Sequence, residues 1–334
     1  MTKPIGPYNF KGVGVPEYYL GGDVKIRMVD DVIDYLETNA KTYIKKITDK
    51  VESLMDWKLQ HYTHPTDGDY HPELDESPFL VGDEVPIYRM MVGSLNWLVT
   101  LGRYDVQYSS NTLARYLMLP REGHMKAMRR VFGYLKHYAK FPIVYDTTRP
   151  DFTKYQRQRF EWETLYGRVE EEMPYGMPVS KGEGVVLSGF FDASHASCLQ
   201  TRRSTTGILM FVNNTPIKWY SKRQATIETS TYGSEIVAGR IAVEMAIDLR
   251  YRLRMLGVEV IGPTLLFGDN QSMISNVSLP HSVLKKRHAA NSYNRCREAV
   301  AGDIVRFIYC PTEYNLADMG TKALNGVIHQ RLLN

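Results

Sequence analysis

The chain has 334 residues, 43% of them apolar and 23% charged, which excludes a disordered tail, a fibre or a low-complexity scaffold and leaves room for about two domains. No apolar run approaches the roughly 18 residues of a membrane span, and the start Met1-Thr2-Lys3-Pro4 lacks the apolar stretch of a secretion signal. Three scattered cysteines, Cys198, Cys296 and Cys310, exclude a disulfide framework or a four-ligand zinc site, so a reducing, intracellular setting is expected. The net charge is +4, but residues 185–334 hold 17 Lys+Arg against 11 Asp+Glu, a net of +6, which leaves −2 for the rest. The basic excess therefore lies wholly in the C-terminal part, which is compatible with a polyanionic partner.

In chain order, Tyr18 to Ile26 is strand-like around Gly21-Gly22, and Asp34 to Trp57 carries Tyr35, Ile44, Ile47, Val51 and Leu54 at helical spacing. Asp67 to Pro86, rich in Pro, Asp, Gly and Glu, reads as a surface loop. Helices are expected near 88–101, 105–119 and 123–138, with Pro120 stopping the second. The third presents Lys126, Arg129, Arg130 and Lys136, a pattern that a solvated face explains. Pro150 to Gly184 has little periodicity and reads as a linker or peripheral insertion. Beyond it come apolar runs at 185–191, 207–212 and 216–220, a long helix at 231–256, a strand at 264–267, helices near 272–277 and 284–300, and a strand at 304–309. Three meandering strands followed by alternation predict a mixed sheet with helices packed on it. The implied organisation is 1–145, 146–184, 185–325 and a tail at 326–334.

Four carboxylates fall at telling places. Asp192 follows Phe190-Phe191 at the end of the first strand of this sheet, where open sheets place their sites, though a turn Asp would also fit. Glu235 has Ala242, Ala246 and Leu253 within about 20° of it on a helical wheel, so it sits in the middle of the apolar stripe. A capping box does not explain it, since Tyr232 stands where Ser or Thr would be needed, and a carboxylate facing the core needs a compensating partner. Asp269 ends a strand and opens a helix, and Asp318 precedes another; each could be a helix cap. If all four converge on one sheet edge, their repulsion calls for divalent cations, and hard oxygen donors suit Mg²⁺ or Mn²⁺.

The segments SGFFDAS (188–194), TRRSTTGILMF (201–211), IKWYSKRQATIETSTYGSEIVAG (217–239), LLFGDNQSMI (265–274), KKRHAANSYNRCRE (285–298) and PTEYNLADMGTKAL (311–324) together resemble the ribonuclease H domain of copia-type LTR retrotransposon Pol polyproteins. VGVPEYYLGGD (13–23) and the stretch 77–138 resemble the end of the same polyprotein's reverse transcriptase, its thumb and connection. The resemblance implies an α/β fold: a ribonuclease H-like mixed five-stranded sheet with flanking helices, preceded by a smaller α+β or helical thumb-connection segment. It also implies that Asp192, Glu235, Asp269 and Asp318 bind two Mg²⁺ ions, with Mn²⁺ as substitute, and that Asp192 bridges them. Asp192-Ala193-Ser194 stands where many relatives have Asp-Ala-Asp or Asp-Ala-Asn, which leaves the first ligand in place. Met28-Val29-Asp30-Asp31 imitates the polymerase Tyr-x-Asp-Asp box, but Met replaces Tyr and the box follows VGVPEYYLGGD rather than preceding it. A polar turn before the helix at Asp34 explains it, and no polymerase activity is expected.

The expected activity is hydrolysis of the RNA strand of an RNA:DNA hybrid, during retrotransposon reverse transcription. His288 would assist proton transfer or product release, although a solvated or phosphate-facing His fits as well. Arg202, Arg203, Lys222, Arg223, Lys285, Lys286 and Arg287 would hold phosphates, with Trp219 and Tyr220 on the adjacent strand. Gln224 and Asn270 would read the minor groove, where the 2′-hydroxyl marks RNA. The alternative is an inactive or domesticated nucleic-acid-binding fragment. Expected partners are the hybrid and the remainder of the reverse transcriptase, in the cytoplasm, including virus-like particles, or the nucleus.

Overall fold

The computed structural model describes residues 14–30, 32–153, 155, 160–173, 175–284 and 287–333. The first elements are strands β1 (Tyr18–Tyr19), β2 (Gly22–Val29) and β3 (Val32–Asn39), followed by helix α1 (Lys41–Met55). The helix expected from Asp34 therefore begins seven residues later. Val32-Ile33-Asp34-Tyr35-Leu36-Glu37-Thr38 is rich in β-branched and aromatic residues, and long-range pairing with β2, such as Ile26 with Leu36 and Val24 with Thr38, settles it as a strand. Val29 pairs with Val32, so Asp30, at φ 48°, lies in the turn of a β-hairpin rather than just before a helix; Asp31 is outside the described residues.

Helices α2 (Glu84–Thr100), α3 (Gln107–Ala114) and α4 (Glu122–His137) follow, and strand β4 (Ile143–Val144) closes a small sheet in the order β1-β2-β3-β4. α3 is shorter than its apolar spacing suggests: its Gln-Tyr-Ser-Ser-Asn-Thr sequence is made of weak helix formers, and the residues before it form a 3₁₀ turn at Tyr104–Val106. These helices enclose one core, in which Ile44, Val51, Tyr88, Met91, Leu95, Leu98, Met128 and Phe132 are wholly buried.

Among the described residues between β4 and the next strand the one helix is a single turn, α5 (Glu163–Tyr166). Glu171 ties this stretch to the rest of the fold. Glu171 accepts from Arg250 Nε at 2.8 Å and Nη2 at 2.7 Å, and from Arg254 Nη2 at 2.7 Å. Burial pushes the Glu171 carboxyl up, but the hydrogen bonds from Arg250 and Arg254 outweigh it and hold the group at about 2. A carboxyl depressed in the folded state stabilises above its unfolded value, near 4.3, and loses that contribution as pH falls through about 2. Glu171→Gln should therefore flatten the acid limb of the melting curve between those values, and at neutral pH should make 160–173 several-fold more sensitive to limited proteolysis. Unchanged proteolysis would show that the segment is held elsewhere.

A second core is built on β5 (Leu187–Ser194), β6 (Thr205–Val212), β7 (Thr215–Arg223), α6 (Thr231–Met255), β8 (Thr264–Gly268), α7 (Gln271–Ser278), α8 (Ala290–Ala301) and β9 (Val305–Tyr309). The sheet order is β7-β6-β5-β8-β9, with β5, β6 and β7 antiparallel and β8 and β9 parallel to β5. This is the expected mixed five-stranded sheet with flanking helices. α6 starts at Ser230, whose hydroxyl accepts from Gly233 N, and its Gly239 lets the helix lie close to Met273, Phe307 and Phe191. α8 begins later than the expected 284, after a 3₁₀ turn at Arg287–Ala289. Asp192 lies inside β5, two residues before its end.

α9 (Asp318–Thr321) and α10 (Gly326–Leu333) complete the chain. The segment expected as a tail is thus helical, and it returns to the first core, where His329 Nε2 lies 3.2 Å from the Asp105 carbonyl. Trp219 Nε1 donates to Val99 O at 2.8 Å and Ser221 Oγ to Gly320 O at 2.6 Å, so β7 and α9 sit in the seam between the two cores. Among the described residues no helix is long and apolar enough to cross a membrane.

Candidate active site

Register places the first two carboxylates. Phe190 and Phe267 are partners in the parallel β5/β8 pair, so Asp192 and Asp269 lie two residues beyond them on adjacent chains, where strands run about 4.8 Å apart. Glu235 enters from the first turns of α6. One carboxylate oxygen from each of Asp192, Glu235 and Asp269 lies within 4.8 Å of the others. Asp192 is 5% exposed and Glu235 3%.

Asp318 arrives from α9, and the reason is Asn315. That wholly buried side chain donates from Nδ2 to Phe191 O at 3.0 Å and accepts at Oδ1 from Ala317 N at 3.1 Å, which ties the α9 entrance to β5 beside Asp192. Neither suspected cap is a side-chain cap. Asn270 caps α7, its Oδ1 accepting from Met273 N at 2.9 Å, which frees Asp269; Asp318 is the first residue of α9 and no side chain caps that helix.

Crowding acids in the interior has the expected electrostatic result. Burial, then Asp192, Asp269 and Asp318, drive the Glu235 carboxyl well above the usual range. Burial, then Asp192, raise Asp318 to about 7 against the opposing pull of Lys322. Lys322 Nζ lies 2.8 Å from Asp318 Oδ2, and although burial works to deprotonate it, Asp192 and Asp318 keep its ammonium group charged. Thr321 Oγ1 donates to Asp192 Oδ2 at 2.6 Å and Thr312 Oγ1 to Asp269 Oδ2 at 2.6 Å. Glu235 Oε2 and Asp318 Oδ1 are buried with no hydrogen-bond partner. Two orphaned carboxylate oxygens in a cluster of hard donors fit a divalent cation.

Thr312, Asn315, Thr321 and Lys322 were not foreseen as site residues. All four lie in the 311–324 stretch with Asp318, so the signal was proximity in a quoted segment; nothing in their own spacing announced them.

The remaining expected residues divide. Arg202, at φ 56°, Lys222 and Arg287 are exposed, and Arg203 and Arg223 are partly buried. Lys285 and Lys286 lie outside the described residues. Gln224 is a correction: it is 4% exposed and its Nε2 donates to Thr206 Oγ1 and Ser234 O, each at 3.0 Å, so its donors are spent inside the fold and cannot read a groove. Asn270 uses its oxygen as the α7 cap, leaving only its amide hydrogens for a ligand. Trp219 is packed in the seam, with its ring 5.6 Å from that of Tyr104, rather than offered to bases. His288 Nε2 lies 3.4 Å from Glu228 Oε2, so among the described residues its acidic partner is Glu228 and none of the four clustered carboxylates.

The chain is 26% identical over 246 residues to the "Retrovirus-related Pol polyprotein from transposon RE2" of Arabidopsis thaliana, covering 73% of this chain and 14% of that one. It is 25% identical over 239 residues to the corresponding polyprotein from transposon TNT 1-94 of Nicotiana tabacum, covering 71% and 15%. Both of these relatives are retrovirus-related Pol polyproteins of transposons. The chain spans about a seventh of the length of these polyproteins. No protein-family profile matches it. Among solved structures it is similar to RNase H1 from Halobacterium salinarum NRC-1, with a TM-score of 0.33 and 16% identity over 41% of this chain and 94% of that one. It is also similar to LC11-RNase H1 in complex with an RNA/DNA hybrid, with a TM-score of 0.31 and 15% identity over 41% and 93%. The Pol-like resemblance thus runs across both cores, and the acidic cluster lies within the second.

Proposed function

We propose that the chain is a metal-dependent endonuclease that hydrolyses the RNA strand of RNA:DNA hybrids, as the ribonuclease H part of a retrotransposon Pol polyprotein. The observation that carries this reading is the convergence of Asp192, Glu235 and Asp269 on one end of a mixed sheet, with Asp318 near enough to Asp192 to be raised by it, and with buried oxygens on Glu235 and Asp318 that no protein group satisfies. Asp192 would be shared between two Mg²⁺ ions, Asp269 completing one site and Glu235 with Asp318 the other; when bound, such ions supply a more acidic attacking water and stabilise the leaving 3′-oxygen.

The chain's own groups prepare that chemistry. Thr321 and Thr312 fix one oxygen of Asp192 and of Asp269, so each carboxylate presents its other oxygen to the cluster. Asn315 holds the α9 entrance and with it Asp318. Lys322, half-exposed and paired with Asp318, balances part of the cluster's charge. The 185–334 part, at +6 with these four carboxylates counted as negative, would reach about +10 with two divalent ions, the balance a polyphosphate substrate favours.

The test is incubation of a labelled RNA:DNA hybrid with the protein and Mg²⁺, with Asp269→Asn as control. RNA-strand cleavage by the wild type alone is expected; two inert proteins would sink the reading. Hybrid binding without cleavage in either Mg²⁺ or Mn²⁺ would instead favour a non-catalytic nucleic-acid-binding fragment.

A further inference from the structure

A cavity of about 280 Å³ opens in the first core between the 62–75 segment, α3 and α4, with walls from Tyr62, Pro65, Leu113 and Val131. None of the four clustered carboxylates lines it. Three of the side chains that do line it carry a buried polar atom with no hydrogen-bond partner: Tyr70 OH, Asp75 Oδ2 and Arg130 Nε. An unmet buried polar atom is costly, and a charged one most of all. The space beside these three would hold roughly nine waters at about 30 Å³ each, or one ligand of several rings.

Asp75 is short of a donor because its neighbours are all engaged. Its Oδ1 accepts from Ser77 N at 2.8 Å, but Oδ2 has no partner. His124 Nε2 lies 3.8 Å from Oδ2, yet the single proton of that ring is spent: Nδ1 accepts from Arg121 N at 3.0 Å, so the proton sits on Nε2, where Pro72 O takes it at 3.0 Å. Burial lowers the His124 imidazole, in keeping with a neutral ring. Arg121 is used on Ser77 O and on the ring of Phe79. Burial works to raise the Asp75 carboxyl, but Ser77, His124 and Arg121 hold it below its usual value, so it is ionised. Glycine at 123 admits it, since a Cβ there would collide with Oδ2. The other two unmet atoms are donors. Burial, then Tyr88 and Asp75, push the Tyr70 phenol up, so its hydroxyl keeps its proton. Arg130 spends Nη2 on Asp67 Oδ1 at 2.8 Å and His64 Nε2 at 2.7 Å, and its guanidinium lies 4.6 Å from the centre of the Tyr62 ring, which leaves Nε.

The unmet set is thus one ionised acceptor and two donors around an apolar wall, the make-up of a small-ligand site. A ligand that answers all three carries an N–H for the carboxylate and two acceptors for the phenol and the guanidinium on one flat frame. Guanine does so: N1–H and the N2 amino group are donors, and O6 and N7 are acceptors, whereas adenine places an amino donor where guanine has O6. Lys126, exposed on α4, also lines the cavity and supplies a cation for the phosphate of a nucleotide. We propose that this cavity binds a guanine base, with Asp75 accepting from its N1–H edge and Tyr70 and Arg130 donating to O6 and N7. The site stands on the chemistry of the first core alone and does not rest on the nuclease reading.

Calorimetric titration of the full chain with GMP and with AMP tests the site. GMP should bind about tenfold tighter than AMP, because AMP leaves the carboxylate and one donor unmet. Asp75→Asn, which sets a neutral amide where the carboxylate stood, should weaken GMP about tenfold and erase the preference. Tyr70→Phe, which removes one hydroxyl, should weaken GMP about fivefold and leave AMP as it was. Equal affinities for GMP and AMP in the wild type, or GMP affinity untouched in Asp75→Asn, would leave the cavity to water and overturn the site. Should Asp75→Asn fail to melt cooperatively, Tyr70→Phe decides by the same readings. The source of the base is read by displacing a fluorescent GMP analogue with RNA:DNA hybrids that end in one unpaired guanine or one unpaired adenine. Stronger displacement by the guanine end assigns the cavity to a strand terminus, and equal displacement assigns it to free nucleotide; both keep the site. No reading here involves cleavage, so an inert nuclease leaves the guanine site standing, and a cavity blind to guanine leaves the nuclease reading standing.

Discussion

Asp192→Asn is expected to abolish hybrid cleavage and, in the same protein, to raise thermal stability in EDTA. The loss follows from position: Asp192 is the carboxylate that both Glu235 and Asp318 feel, and the one whose second oxygen Thr321 fixes. Removing its charge should cost about three orders of magnitude in rate, about 4 kcal/mol of barrier. The gain follows from the sign of the shifts. Asp318 is raised to about 7, so the folded state holds its proton more tightly than the unfolded chain. Its contribution is fully present below the ordinary carboxylate value, near 4, and is lost as pH rises through about 7. Glu235 shifts in the same direction. Metal-free wild type should therefore lose stability between about pH 4 and 7, and Mg²⁺ should restore it at the upper end. With Asn at 192 the repulsion falls, the pH slope flattens, and the Tm at pH 7.5 in EDTA rises by about 2–4 °C for each kcal/mol relieved. Melting curves with and without Mg²⁺ measure this. A lower Tm in EDTA for Asp192→Asn would show that Asp192 serves the fold through Thr321 more than it strains it.

That coupling of stability and function explains why the C-terminal sheet is legible in the sequence. Glu235 broke the rule that a helix buries its apolar stripe, and no cap excused it; a local violation of patterning is where a site announces itself. The β5–β9 strands were legible because each is a short apolar run closed by turn residues. The first core was less so. Residues 32–39 carry a β pattern that merges into a helical one at Lys41, and only pairing to β2, a contact between distant residues, decides the boundary. α10 was missed because eight residues with modest apolar content do not fold by themselves; they are ordered by His329 reaching the Asp105 carbonyl, distant in sequence, and by Leu332 packing with Met319 and Leu324. Gln224 was misplaced for a related reason. Neighbourhood to Lys222 and Arg223 suggested a polar surface, whereas Gln224, just past the end of β7, turns its side chain inward to Thr206 and the α6 backbone.

Asp105→Asn should be among the most destabilising single changes in the first core. Asp105 and Arg103 are both essentially inaccessible, joined by Nε to Oδ1 at 2.9 Å and Nη2 to Oδ2 at 2.7 Å. Tyr134 OH donates to the same Oδ2 at 2.8 Å. The Arg103 guanidinium also lies over the rings of Phe141, at 5.2 Å, and Tyr134, at 5.8 Å. Burial pushes the Asp105 carboxyl up, but Arg103 outweighs it and keeps the group ionised. Removing only the negative partner leaves a cation stranded in the interior, a loss of about 3–5 kcal/mol. Replacing both, Arg103→Met with Asp105→Leu, removes the stranded charge and should recover much of that loss, because a buried pair offsets its own desolvation only in part. The two proteins separate by chemical denaturation, the single variant unfolding at a much lower midpoint. Hybrid cleavage at low temperature should survive in both, since the carboxylates are carried by the other core. His329 on α10 meets the Asp105 carbonyl, so the single variant should also lose protection of 326–333 in hydrogen exchange before it unfolds globally. Equal midpoints for the single variant and the wild type would mean that Arg103 finds another anion or solvent on relaxing, and that the pair sets the geometry of the seam without stabilising it.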